Sequence, residues 1–186
     1  MKKYIYIMMF FLIGITISQA QRMLPKQKGL EVNAGILSDV YPDRNYYLNI
    51  GMTLNGKNGN YQLWALEYTY QYDEYKNLRL PQETYTSEGG YSFFILGDTR
   101  KNITLNAAIT GVLGYESINR GEALLYDGAK ILTEDNFIYG AGGRLSFETY
   151  LSDRFVLILQ GRTKVLWGTD LEQFRPSAGL GLRINF

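Results

Sequence analysis

The sequence predicts an all-β fold, an eight-stranded antiparallel up-and-down transmembrane β-barrel that follows a cleaved N-terminal signal peptide. Three observations indicate this class. The chain begins with a charged and then apolar stretch, which is typical of a secretory signal. Eight later segments alternate apolar and polar residues with a period of two. The connections between these segments mostly alternate between short and long, as expected for a barrel with short turns at one rim and longer loops at the other.

The first element is the signal peptide, predicted over residues 1–20. Lys2 and Lys3 precede an apolar run, and the sequence Ser18-Gln-Ala20 places small residues where signal peptidase cleaves. The alternative is a membrane anchor, but the run is short for a spanning helix of about 20 residues. Residues 21–28 are then a short periplasmic segment, and residues 29–186 form the barrel.

The first four strands are predicted from segments in which apolar and polar residues alternate, so that each strand has one apolar and one polar face. Residues 55–60 and 97–102 are tight turns by composition, since they are rich in glycine and polar residues. Residues 38–45 and 73–86 are the longer connections. The apolar faces consist of Leu30, Val32, Ala34 and Ile36; Tyr46, Leu48, Ile50, Met52 and Leu54; Trp64, Leu66, Tyr68, Tyr70 and Tyr72; and Gly89, Tyr91, Phe93 and Ile95.

The last four strands follow the same rule, with a short turn at 151–154 and longer loops at 116–135 and 168–175. The final strand closes the barrel by pairing with the first. An even strand number puts both termini at one rim, the periplasmic one, and the long loops outside the cell. The apolar faces are Ile103, Leu105, Ala107, Ile109, Gly111, Leu113 and Tyr115; Phe137, Tyr139, Ala141, Gly143, Leu145 and Phe147; Leu157, Leu159, Val165 and Trp167; and Ala178, Leu180, Leu182, Ile184 and Phe186.

The apolar faces are expected to contact the lipid of the outer membrane. In the alternative, a water-soluble barrel or sandwich, they would form the core and the charged residues would face solvent. Aromatic residues near strand ends favour the membrane, because such residues form belts at the two interfaces. The predicted interface aromatics are Tyr46, Tyr72, Phe137, Trp167 and Phe186.

The polar faces are then expected to fill the lumen, which in an eight-stranded barrel is just wide enough for side chains. Charges buried there must pair, since an unpaired buried ion costs several kcal/mol. Because the first strand meets the last, Glu31 is predicted to pair with Arg183, and Glu67 with Arg144 or Arg162. The alternative for any of these charges is a hydrated position at a rim of the barrel, without an ion-pair partner. The charges expected inside are Glu31, Glu67, Glu88 and Glu148 with Arg144, Arg162, Lys164 and Arg183.

The composition argues against an enzyme. The chain contains no His and no Cys, which leaves no Ser-His-Asp triad and no plausible zinc or thiol site. The acidic loop residues Asp39, Asp43, Asp73 and Glu74 lack the spacing of a calcium loop. No catalytic residue, metal or cofactor is therefore expected. After residue 20 the chain has 17 basic and 18 acidic residues, so direct nucleic-acid binding is not expected either.

Several short motifs give the chain a family resemblance. Together they run through the whole mature chain in order: RMLP at 22–25, GLEV at 29–32, EY at 67–68, LLYDGA at 124–129, FIYG at 137–140, ETYLSDRF at 148–155 and VLWG at 165–168. In these segments the sequence resembles the conjugative transposon protein TraO family of Bacteroidetes. None of the motifs is catalytic, and the resemblance implies no active site.

The resemblance implies a role in the transfer of mobile DNA between cells. With the barrel prediction, it suggests a non-enzymatic outer-membrane component of a conjugation apparatus, acting as a scaffold or as a docking barrel for other conjugation proteins. The loops 73–86 and 116–135 and the segment 21–28 are the candidate docking surfaces. The alternative is a general small outer-membrane barrel for adhesion or envelope stability. A lipid-modifying enzyme is the weakest hypothesis, since the chain lacks histidine.

Overall fold

The fold is a closed barrel of eight antiparallel strands, each paired with its neighbours in sequence and the first paired with the last. This computed structural model describes residues 23–38, 45–75, 78–99, 101–121 and 135–186. The predicted fold class is confirmed, while the predicted signal peptide at 1–20 lies outside the described residues. The strands are β1 (Lys28–Leu37), β2 (Tyr46–Asn55), β3 (Tyr61–Tyr75), β4 (Leu78–Gly97), β5 (Ile103–Ile118), β6 (Asn136–Tyr150), β7 (Phe155–Trp167) and β8 (Phe174–Asn185).

The register fixes the shape of the barrel. A path of directly paired residues can be followed around the barrel from Ile184 on β8 through β1 to β7 in turn. It returns to β8 at Phe174, ten residues away from its start. For eight strands this stagger corresponds to a tilt of about 40°, given a rise of ~3.3 Å per residue and a strand spacing of ~4.8 Å. A ten-residue strand at this tilt spans about 25 Å, which matches the apolar band of outer-membrane barrels.

The side chains alternate as the period-two pattern predicts. Leu180 and Leu182 on β8 point outward and are 58% and 41% exposed, whereas Glu67 and Arg162 are buried inside at 6% and 7%. The exposed apolar side chains form a continuous belt around the wall, and the interior is mainly polar. No helix among the described residues is long and apolar enough to cross a membrane.

Three of the predicted long loops are shorter in the structure. Most of 73–86 belongs to strands, because β3 and β4 remain paired from Tyr61↔Ser92 up to Tyr75↔Leu78. The upper part of this ribbon is rich in threonine and tyrosine, which favour extended backbone. β5 continues to Ile118 and is followed by a short 3-10 helix, Asn119–Gly121, and β8 begins at Phe174. Residues 122–134, most of the remaining loop, lie outside the described residues.

The two rims differ. At the turn rim, β2–β3, β4–β5 and β6–β7 are joined by 56–60, 98–102 and 151–154, and the chain ends there at Phe186. The described part of the predicted segment 21–28 also lies across this rim: the Lys26 backbone N–H donates to the Asn55 carbonyl at 2.7 Å. Met23 is buried against Tyr150, Val156 and Ile158 and so covers the turn-side end of the lumen. The opposite rim, which carries the other four connections, is the loop rim.

Candidate functional site

The lumen near the turn rim contains a cluster of four charges, the turn-side ion cluster, formed by Glu31, Glu148, Arg144 and Arg183. Arg183 donates to Glu31 at 2.8 Å and, through its other terminal nitrogen, to Glu148 at 2.8 Å. Its guanidinium also lies 4.4 Å from the centre of the Tyr61 ring. Arg183 and Glu31 meet because they are directly opposite on β8 and β1, the pair of strands that closes the barrel.

Arg144 completes this cluster. It donates to Glu31 at 2.7 Å and to the Tyr61 hydroxyl at 2.8 Å, and that hydroxyl in turn donates to Glu148. The predicted alternative of Arg144 pairing with Glu67 is wrong, because Arg144 on β6 reaches across the lumen to β1. Two carboxylates thus face two guanidiniums, and the cluster is neutral as a whole. This balance offsets the cost of burying the four ions.

The central ion cluster, higher in the lumen, is formed by Glu67, Glu88, Arg162 and Lys164. Arg162 donates to Glu67 and, at 2.7 Å, to Glu88. Lys164 contacts the same two carboxylates, at 2.6 Å from Glu88. The cations lie on β7 and the carboxylates on β3 and β4, so these contacts cross the barrel rather than follow one pair of strands. This cluster is also neutral.

A third pair, missed in the sequence analysis, lies near the loop rim. Arg175 donates to Glu116 at 2.7 Å, and both side chains are buried. Thr169 donates to the same Glu116 carboxylate at 2.8 Å. Glu116 and Arg175 lie at the ends of the predicted loops 116–135 and 168–175. Each nevertheless points inward with its strand: Glu116 continues the face of Thr110, and Arg175 that of Arg183. Extending the alternation of inward and outward residues by up to two positions at these strand ends predicts both members of this loop-side ion pair.

Glycines make room for these side chains where the barrel closes. Gly35 and Gly179 are directly opposite on β1 and β8, and both face the interior. The ring of Tyr47 lies against them: a Cβ on Gly35 would be 2.5 Å from a Tyr47 ring carbon and in contact with the Ala178 carbonyl. Tyr47 accepts a hydrogen bond from Gln160 at 3.1 Å, and the Arg162 guanidinium lies 4.9 Å from its ring centre. The glycine pair therefore leaves room for the Tyr47 ring beside Arg162 of the central ion cluster.

The lumen is filled. Among the described residues, the two cavities between the ion clusters measure about 10 and 20 Å³, room for about one water molecule each. In the described part of the chain no three acidic residues are grouped so that they could hold a metal ion. The ten charged groups inside the described part of the barrel form ion pairs with one another, so the arrangement has the chemistry of a structural core.

The filled lumen predicts that the folded protein conducts no ions. Insertion into a planar bilayer should give no stepwise current, because a hydrated ion cannot pass the charge layers without breaking buried pairs. The measurement is single-channel recording on protein whose folding is shown by heat-modifiable migration in gels. Stable conductance steps that scale with salt concentration would contradict a plugged barrel.

Aromatic side chains form a girdle on the outer wall near the loop rim. Tyr46 stacks on Tyr70 with ring centres 5.6 Å apart, and Tyr68 and Tyr85 are 5.2 Å apart. The girdle continues through directly paired residues from Tyr85 to Tyr115 and Phe137, and Tyr139 lies beside Trp167. Of the five aromatics predicted for the interface, Tyr46, Phe137 and Trp167 lie on this girdle and Phe186 is exposed at the turn rim.

The assignment of Tyr72 to the lipid interface is wrong. Tyr72 pairs with Pro81, two residues above the level at which β2 begins opposite Tyr70. It therefore belongs to the β3–β4 ribbon that extends beyond the barrel wall, and it is only 6% exposed there. The girdle position that the sequence analysis gave to Tyr72 is occupied by Tyr68 and Tyr70.

The base of the β5–β6 connection is fixed by one carboxylate. Asp135 accepts hydrogen bonds from the Ile118 backbone N–H at 3.0 Å and from the Ser117 hydroxyl at 3.2 Å. The next residue, Asn136, donates to Asp170 at 2.9 Å and so joins this base to the β7–β8 connection. A polar cavity of about 510 Å³ opens beside it, lined by residues that include Gln71, Gln82, Glu172 and Arg175.

The fold and the polar, filled lumen define the class of small eight-stranded outer-membrane-type barrels. Solved structures of this class resemble the chain at low sequence identity. Neisserial surface protein A has a TM-score of 0.58 at 13% identity, over 86% of this chain and 96% of that one. Ail of Yersinia pestis has 0.57 at 12%, over 88% and 100%. The N-terminal barrel domain of Pseudomonas aeruginosa OprF has 0.50 at 12%, over 87% and 98%. These likenesses show the fold alone.

The family is shown by the sequence itself. The chain belongs to the conjugative transposon protein TraO family, whose sequence model matches residues 24–186. The predicted resemblance is confirmed over nearly the whole chain. No curated protein matches the sequence significantly. Family membership therefore associates the chain with conjugative transposons, and the barrel supplies the structural class.

Proposed function

We propose that this protein is a non-enzymatic outer-membrane component of a conjugative DNA-transfer apparatus, and that it acts as a scaffold or docking barrel for other conjugation proteins. Both termini then lie in the periplasm, and the loop rim faces outward from the cell. Membership in the TraO family supports the association with transfer. The outward apolar belt and the aromatic girdle support a position in outer-membrane lipid.

The filled lumen is the observation that favours docking over transport. Five acidic and five basic side chains pair inside the described part of the barrel, and the cavities between them hold about one water each. A DNA strand is far wider than this interior. The same pairing engages the carboxylates that a hydrolytic mechanism would need, which supports a non-enzymatic role. Function is then expected at the rims and the outer wall.

Deletion of the gene from its element tests the proposal. Transfer frequency should fall to background and return on complementation, while the lipid composition of the envelope stays unchanged. Purification of the tagged full-length protein from donor cells should recover other transfer proteins. Unchanged transfer in a clean deletion would refute the role in conjugation, and an altered lipid profile would instead indicate an enzyme.

The alternative function, adhesion or envelope stability, makes a separable prediction. The β3–β4 ribbon extends beyond the wall at the loop rim, where a surface contact could form. An adhesion or stability protein would change surface binding or detergent sensitivity when expressed in cells that carry no conjugative element. A conjugation component is expected to have no effect in such cells.

A further inference from the structure

The net charge of residues 21–186 is close to zero, but the basic and acidic residues are separated along the barrel axis. The described residues at the turn rim, 23–28, 56–60, 98–99, 101–102 and 151–154, include five basic and two acidic residues. The described residues at the loop rim, 38, 45, 71–75, 78–83, 119–121, 135 and 168–173, include six acidic and two basic residues. The lumen clusters between them are balanced. The turn rim therefore carries a net positive charge, and the loop rim carries a net negative one.

The cations of the turn rim are not used by the fold. Lys26, Lys28, Lys57 and Arg154 are exposed, and none of them forms an ion pair with another residue that the structure describes. By contrast, Asp98 is engaged in its turn, where its carboxylate accepts the Ile103 backbone N–H at 3.0 Å. Asp98 thus serves local structure, while these cations remain available to a partner.

The cations lie on one connected surface. The segment 23–27 is joined to the β2–β3 turn by the hydrogen bonds from Lys26 to Asn55 and from Asn55 to Gln27, at 2.7 and 2.8 Å. Arg154 is joined to the chain end by the Asn185 backbone N–H, which donates to its carbonyl at 2.7 Å. Lys57 lies at the tip of its turn, beyond the last lipid-facing residue of β2 at Leu54. Its ammonium therefore faces the aqueous compartment.

An exposed apolar residue stands among these cations. Met23 and Lys26 have left-handed backbone angles, with φ of 61° and 70°, which are unfavourable for residues with a side chain. This strained turn directs Met23 into the barrel and leaves Leu24 43% exposed at the rim. Sealing the lumen needs only Met23. Presentation of Leu24 beside Lys26 and Lys57 is a feature that the stability of the barrel does not explain.

We propose that the turn rim docks an acidic segment of another protein of the transfer apparatus, with Leu24 as the apolar anchor and Lys26 and Lys57 as the pairing cations. Charge complementarity of this kind steers association and selects partners. The inference rests on the proposed function and assigns it a surface: the partner binds at the periplasmic end of the barrel. Anionic phospholipid is the competing occupant, and the experiment separates the two.

The test uses the full-length protein in donor cells with a photo-crosslinking residue at position 24. The wild-type background should give a crosslinked product with a transfer protein encoded by the same element. The double variant Lys26→Glu, Lys57→Glu should lose this product and lower transfer at least about tenfold, equivalent to ~1.4 kcal/mol of binding. The matched control Lys26→Arg, Lys57→Arg keeps the charge and should retain both. A crosslinker at Glu172, on the loop rim, should not capture that partner.

Several outcomes would overturn the inference. It fails if the product is phospholipid alone, if charge reversal leaves the product unchanged, or if the Arg control loses it as well. Heat-modifiable migration of the Glu variant establishes that its barrel has folded. Failure here is distinct from failure of the proposed function: if gene deletion abolishes transfer and charge reversal does not, only the docking surface is wrong. If deletion has no effect on transfer, the function itself is wrong.

Discussion

Replacing Arg183 with methionine is expected to destabilise the folded barrel by about 3–5 kcal/mol, because it leaves the buried Glu148 carboxylate without a cation. Arg183 is fully buried and donates to both Glu31 and Glu148. Arg144 remains beside Glu31, so the cluster would retain one excess negative charge. The measurement is denaturant-induced unfolding in lipid vesicles, followed by heat-modifiable migration in gels.

Two further variants separate charge from packing. Adding Glu148→Gln to Arg183→Met restores neutrality, and the double variant should be more stable than Arg183→Met alone. Lys28→Met removes an exposed cation outside any described ion pair, and its effect should stay within about 0.5 kcal/mol. A loss of less than ~1 kcal/mol for Arg183→Met would mean that the cluster is hydrated, in contradiction to the buried pairing.

Replacing Gly35 with alanine is expected to cost about 1–3 kcal/mol or to prevent closure of the barrel, as overpacked interiors do. The added methyl would meet the Ala178 carbonyl and lie 2.7 Å from the Gly179 Cα on the opposite strand. The backbone of β8 and the buried ring of Tyr47 leave it no room to relax. The loss should appear as slower folding into vesicles and a lower denaturant midpoint.

Gly161→Ala provides the matched control for this prediction. Gly161 is also a strand glycine, but a Cβ there would have no atom within 4 Å. Alanine should be neutral or stabilise the strand by up to about 1 kcal/mol, since glycine loses more backbone entropy on folding. Equal effects of the two substitutions would show that glycine content, rather than the seam between β1 and β8, determines the stability.

The alternation of the two strand faces explains what could be predicted from the sequence. A strand has only two faces, so an alternating segment determines which residues point together, and closure of the barrel determines that β1 meets β8. Glu31 opposite Arg183 follows from these two facts. The partner of Arg144 does not, because contacts across the lumen depend on the stagger of the strands. That stagger is a property of all eight registers together.

The errors near the loop rim have one cause. Above the lipid belt both faces of a strand can be polar, so the alternation that marks strands within the membrane fades. The loops predicted at 73–86 and 116–135 therefore overlap the upper parts of β3, β4 and β5, where Glu116 faces the lumen. The prediction of Tyr72 on the girdle fails for the same reason, because its apolar face continues past the point where the lipid ends.

The outward direction of the apolar belt is tested most directly with the two native tryptophans. Trp64 and Trp167 are 50% and 44% exposed on the outer wall. In vesicles of phosphatidylcholine with brominated acyl chains, most of their fluorescence should be quenched, and aqueous iodide should quench little. Strong quenching by iodide, with no effect of the brominated chains, would show that water rather than hydrocarbon covers this wall.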